Sequence, residues 1–323
     1  MVIRRIILAA LTAVSLTVLD RAEAQTFPDR LIKIVMPFPP GGPSDVAARL
    51  AVQPLTASLG QSVIIENIAG AGGRLGAKAV AQASADGYTL LLGGTNPNAI
   101  APSIYSNLTF DPIKDFAAVG VIGFDSNVLV VNAAVPVKTI QELIQYSKDN
   151  PGKLSSGASL GIGPHVCLEL LRARTGSSMN FIPYKGAAPA IADLLGNQIQ
   201  VGMSSKAVML PLINDGKLRA LAVTSETRWP ELPDVPTMKE SKFDGIPAYL
   251  WSGLLAPART PTAVIDKLNA AVNEGMKTPS VQASLAKLGL GTRALTPRQF
   301  DAVLADEALV WDEAVKESRV KLD

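Results

Sequence analysis

LIKIVMPFPPGGPSDVAARLAVQ (31–53) sets an apolar run against a Pro/Gly turn and then small and apolar residues at helical spacing. This is a strand, a glycine-bearing loop and a helix. The same unit recurs outward from it. Strand-like runs rich in Val, Ile and Leu stand at 31–38, 62–68, 88–93, 127–133, 153–159, 180–184, 200–205, 218–225 and 249–257. Helix-length segments lie between them, at about 45–59, 74–84, 139–149, 164–175, 187–196, 207–214, 261–277, 279–288 and 297–318. Such alternation predicts an α/β architecture. Several runs are continuously apolar, which predicts parallel sheets covered on both faces.

Two stretches interrupt the alternation. FAAVGVIGFDSNVLVVNAAVP (116–136) holds two strand-like pieces with no helix between them, and the Pro-rich segment 228–258 is the longest irregular region. A chain that leaves one domain near 125 and returns near 247 makes a discontinuous domain 1 (25–126 and 247–323) around domain 2 (127–246). Double crossings of this kind create a hinged cleft, a favoured place for a ligand. About 300 residues, 48% hydrophobic over the whole chain, suffice for two such cores.

Residues 1–24 read as a secretory signal peptide: Arg4 and Arg5, an apolar stretch from Ile6 to about Leu19, then Ala22-Glu23-Ala24. The expected mature protein is soluble and periplasmic. Removing this segment takes away three arginines against Asp20 and Glu23, so the net charge falls from +2 to +1. A nearly neutral chain without a basic block argues against a nucleic-acid partner. Cys167 is the single cysteine, so no internal disulfide can form.

Glycine after a first strand invites a nucleotide, but Gly41-Gly42 is followed by Pro43-Ser44-Asp45 with no P-loop lysine. In Gly70-Ala71-Gly72-Gly73-Arg74-Leu75-Gly76, Leu75 stands where a dinucleotide motif needs glycine. Gly157-Ala158-Ser159-Leu160-Gly161 matches the nucleophile-elbow pattern of a serine hydrolase. The only histidine, His165, lies six residues later inside the next helix, so the usual triad has no distal base. His165 and Cys167 are about 200° apart around a helix and cannot share one metal. His165 reads either as a packed histidine or as a cleft-facing donor, and Cys167 as a small buried apolar residue.

What remains is a set of small-residue loops, each ending a strand and opening a helix: 37–45, 93–98, 156–164, 184–189 and 204–206. Helix N-termini offer unpaired N–H groups and a positive dipole end, which suit a carboxylate. Glycines 41, 42, 161 and 163 allow close backbone approach. Asp45 either stabilises its own helix N-terminus or receives a cationic or hydroxyl group of the ligand. The candidate ligand contacts are Phe38, Pro40, Gly41, Gly42 and Asp45 in the first loop, Thr95 and Asn96 in the second, and Ser156, Ala158, Ser159, Gly161, Gly163 and His165 in the third. Lys185, Gly186 and Ser204 complete the set.

PFPPGGPSDVAARLAVQPL, VIIENIAGAGGRLGAKAVAQASADGYTLLLG, PYKGAAPAIADLLGNQIQVGM, GKLRALAVTS, PDVPT and WSGLLAPARTP occur in this order over nearly the whole mature chain. Together they resemble the tripartite tricarboxylate transporter solute receptors, the Bug or TctC-like family. The resemblance implies a two-domain, Venus-flytrap fold of the periplasmic-binding-protein type II and no catalytic activity or cofactor. It implies a solute carboxylate gripped between Phe38–Asp45 and Ser156–His165 through backbone N–H groups and ordered waters. It also implies a monomeric receptor that delivers its solute to a large and a small integral membrane subunit. Family members often carry a small hydroxyl residue after the last glycine of the second loop. Gly163-Pro164 and the apolar Ile162 replace it here, which points toward an apolar or aromatic carboxylate. A serine hydrolase using Ser159, and a sensory receptor sharing the same cleft, stand as the alternatives.

Overall fold

The computed structural model describes residues 27–40 and 43–322; the expected signal peptide and the candidate contacts Gly41 and Gly42 lie outside the described residues. Its framework is two five-stranded sheets. The first has the order β2 (Val63–Asn67), β1 (Ile32–Met36), β3 (Thr89–Gly94), β10 (Leu250–Pro257), β4 (Phe116–Asp125). The second has the order β7 (Met179–Tyr184), β6 (Leu154–Ser159), β8 (Val201–Ser205), β5 (Asn127–Asn132), β9 (Leu218–Val223). The helices are α1 (Pro43–Leu59), α2 (Arg74–Ala81), α3 (Ala101–Ile104), α4 (Ile140–Asp149), α5 (Gly163–Thr175), α6 (Ala187–Leu195), α7 (Lys206–Asn214), α8 (Thr262–Met276), α9 (Pro279–Lys287) and α10 (Pro297–Ser318). Strands and helices fall close to the segments read from periodicity.

The sheets are mixed, which corrects the expectation of wholly parallel ones. β1 pairs parallel with β2 and β3, and β6 with β7 and β8. β10, however, is antiparallel to β3 and β4, and β5 is antiparallel to β8 and β9. The cause lies in the connections. A parallel neighbour needs a crossover of a dozen or more residues, whereas only Ser126 separates β4 from β5. β5 therefore passes straight into the second sheet, and β10 re-enters the first after the irregular stretch that follows β9.

Each sheet buries both faces. Ile32, Ile34, Met36, Leu90 and Leu92 pack with α1 and α8 on one side of the first sheet. Val35, Leu91 and Leu255 pack with Phe300 and Leu304 of α10 on the other. In the second sheet Leu129, Val131 and Leu154 pack against α4 and α5, and Val128 and Val130 against Leu194 and Met209. This double coverage explains the continuous apolar runs.

The last helix packs on both sheets. α10 begins with a capping box: Thr296 Oγ1 accepts from the Gln299 N–H, and Gln299 Oε1 accepts from the Thr296 N–H. Its first half packs on β4 and β10, and its last turns bring Trp311, Ala314 and Val315 into the core of the second sheet. The ion pair of Glu317 with Arg174 of α5, at 2.6 Å, lies at the same end. Trp311 is fully buried, so Trp311→Ala is expected to lower unfolding stability by about 3–5 kcal/mol. Urea denaturation measures this, and a loss below about 1 kcal/mol would show that the helix end is not anchored there.

Candidate ligand-binding cleft

The carboxyl ends of β1 and β3 open onto a first cavity, lined by Phe38, Ser44, Thr95, Asn96, Asp125, Leu250, Trp251 and Ser252 among others. The ends of β6 and β8 open onto a second, lined by Ala158, Ser159, Ile162, Pro164, Ile191, Ser204 and Met209 among others. Carboxyl ends of strands are where ligands bind in open α/β sheets. Residues beside the two cavities touch one another. Asn96 Oδ1 accepts a 3.2 Å hydrogen bond from the N–H of Gly163, and a Cβ on Gly163 would stand 2.7 Å from Leu250 Cδ2.

Local sequence explains that contact. After β3 the segment TNPNAI (95–100) forms a π-helical turn instead of the expected loop. The fully buried Asn98 secures it by accepting from the Gly94 N–H and donating to the Pro112 carbonyl. Thr95 Oγ1 accepts the N–H of Trp251, tying the turn to β10. Opposite, α5 starts at Gly163-Pro164 with no side-chain cap from Ile162. Proline is tolerated there because its missing N–H would have no helical partner. The Gly163 N–H is thus an uncapped helix donor, and Asn96 from the other domain takes it.

Six of the expected contact residues line these cavities: Phe38, Thr95 and Asn96 on the first face, and Ala158, Ser159 and Ser204 on the second. Gly163 joins the faces. The others lie elsewhere, for identifiable reasons. Asp45 is buried and its carboxylate receives Arg49, at 2.8 and 3.0 Å, and Asn67 Nδ2, which also donates to the Phe38 carbonyl. It braces the first loop from beneath. Pro40 and Lys185 are exposed, and neither they nor Gly186 line either cavity. Ser156 is buried in mid-strand between Phe181 and Val201.

His165 faces away from the cleft. Its Nδ1 accepts the Gly161 N–H at 3.1 Å, and its ring stacks on Phe181 at 4.2 Å. Burial pushes its imidazole below the ordinary value, with the Glu169 charge opposing, so it serves as a neutral acceptor that holds the turn. Gly161 itself has φ +75, and a Cβ there would meet Leu322 at 2.8 Å. Its role is the turn. Cys167 is buried and its thiol is pushed up to about 12, as an inert core residue would be.

Sequence reasoning missed Asp125, Trp251 and Ser252. Among the described residues, Asp125 is the only charged side chain lining either cavity. Oδ1 accepts the N–H of Ser126 at 2.7 Å, and burial, opposed by that bond and by Lys206, pushes the carboxyl up to about 7. Trp251 packs edge-on against Phe300 with its Nε1 buried and unpartnered. An acid that ends an otherwise apolar strand at the expected crossing was the available signal for Asp125.

Residues 47–320 match the family described as tripartite tricarboxylate transporter family receptor. Protein BugT of Bordetella pertussis is 38% identical over 302 residues, 93% of each chain. The solved structure of the periplasmic binding protein BugD is 35% identical with a TM-score of 0.80, covering 91% of this chain and 99% of that one. An R. palustris protein solved with adipate is 33% identical with a TM-score of 0.81, covering 91% and 98%.

The raised Asp125 carboxyl has a consequence for stability. Between its unfolded value, about 4, and its folded value near 7, the folded chain holds more protons than the unfolded one. Its contribution to stability therefore falls as pH rises through that window and levels off above it. Asp125→Asn should match the wild type near pH 4 and exceed its melting temperature by a few degrees at pH 8, where about 1 kcal/mol corresponds to roughly 2–4 °C. Glu307, also raised to about 7 by burial, is common to both proteins and cancels in the difference. A pH-independent difference in thermal melts would contradict this assignment.

Proposed function

This chain belongs to the tripartite tricarboxylate transporter receptor family, a family of extracytoplasmic solute-binding receptors, and on that premise we propose that it captures an organic carboxylate between its two sheets. The observation that carries the proposal is the pair of cavities at the strand ends, bridged by the hydrogen bond from the Gly163 N–H to Asn96. No Lys, Arg or His lines either face among the described residues. A carboxylate there draws on the N-termini of α1 and α5, through N–H groups and bridging waters. The adipate in the R. palustris relative supports the ligand class.

Binding proceeds by hinge closure. The hinge strands are those on either side of Ser126 and those entering β10, with domains at 25–126 with 247–323 and at 127–246. A carboxylate that touches both faces shifts the population toward the closed form by its differential affinity. The closed receptor then delivers its solute to membrane subunits. Residues 1–24 direct export and are then removed. No helix among the described residues is long and apolar enough to cross a membrane.

Hydrolysis by Ser159 is disfavoured by geometry. No hydrogen bond joins Ser159 to His165 among the described residues, and the histidine lines a different cavity with Glu169 and Arg172. Calorimetric titration with mono- and dicarboxylates is expected to find at least one binder, and a broad panel with none would overturn the receptor proposal. Ser159→Ala should leave the fold intact and show no change in ester turnover. Asn96→Ala removes the interdomain hydrogen bond, whose net worth is about 0.5–1.5 kcal/mol. It should weaken binding of whichever acid titrates by about three- to tenfold and expand the ligand-free protein in solution scattering.

A further inference from the structure

We propose, resting on the receptor role above, that Asp125 is the specificity-determining residue of the cleft, selecting carboxylates that also carry a hydrogen-bond donor, a hydroxyl or an ammonium group. The starting point is a mismatch of charge. A receptor for an anion is expected to line its cleft with donors or cations, yet the one charged side chain on either face is an acid. It stands at the last position of β4, where the chain crosses between sheets, so both domains frame it.

No ion pair engages Asp125 among the described residues. One oxygen accepts the N–H of Ser126, and among the described residues no hydrogen bond or ion pair engages the other. The cations nearby are committed elsewhere. Behind Asp125 lies a hinge-side cavity of about 260 Å³ that it shares with Lys206, Arg228 and Arg293. Lys206 at the start of α7 pairs with Glu231 at 2.7 Å and lies over the Trp229 ring. Arg228 pairs with Glu240 at 3.0 Å, and Arg293 lies over the rings of Phe124 and Tyr249. Burial outweighs the pull of Lys206, which is why the carboxyl sits near 7.

An unsubstituted acid would press methylene groups or a second negative charge against this carboxyl, and both leave it desolvated without compensation. A hydroxyl or ammonium group supplies the missing donor, and hydrogen bonds to a charged acceptor are the stronger kind. The ligand then lies with its carboxylate toward the helix N-termini and its donor toward the hinge. Rejection of the donor-free analogue follows from the second oxygen of the half-buried Asp125 being left without a donor.

Matched acids test this in calorimetric titrations of the mature protein at pH 8: succinate, malate and aspartate; glutarate, 2-hydroxyglutarate and glutamate; phenylacetate, mandelate and phenylglycine. In at least one set the substituted acid should bind tenfold or more tighter than its parent. Asp125→Ala should bring the two together. Asp125→Asn, nearly isosteric, should keep a hydroxyl preference but abolish an ammonium one, which separates the two donors. Parents that bind as tightly as their substituted partners, or a preference that survives Asp125→Ala, would overturn the inference while leaving the receptor role standing. Binding of none of the nine acids would remove that role and the inference with it. A cooperative melt and native far-ultraviolet circular dichroism establish that each variant is folded.

Discussion

Everything in this molecule hangs on a connection of a single residue. Ser126 joins β4 to β5 with no room for a crossover, so the chain cannot turn back beside β4 and must run on into a second sheet. That constraint makes both sheets mixed. It forces the return through β10, which pairs antiparallel with both β3 and β4, and it leaves the carboxyl ends of the locally wound strands of each sheet looking toward the other. The cleft is what remains between them.

The two halves are also tied away from the crossing. α10 starts on the first sheet and ends in the core of the second, where Trp311 is fully buried. Asn96 reaches from the turn after β3 to the start of α5. A large apolar anchor at one place and a single hydrogen bond at another have different costs of separation.

Electrostatically, no lysine, arginine or histidine lines the cleft among the described residues. Its helix ends present partial positive charge at no cost of burying a lysine or arginine, and small residues let that backbone come close. Within this setting polar side chains in the cleft acquire disproportionate weight. Asp125 is perturbed because burial outweighs the Ser126 N–H and the Lys206 charge, and Trp251 Nε1 is buried without a partner.

Composition, periodicity and the order of small-residue loops determined the element list, the α/β class and the passage between sheets near 125. Those properties are local: a 3.6- or 2-residue period and a glycine between strand and helix are written in neighbouring residues. Only the tertiary structure decided direction and depth. Strand polarity in the sheets followed from the length of one connection. Asp45 and His165 both stand in the first turn of a helix that follows a small-residue loop, yet Arg49 and Asn67 claimed the first, and Gly161 and Phe181 the second. Asp125 became part of the cleft because the chain crosses there. Which way a side chain points depends on partners distant in the chain, and no local pattern encodes them.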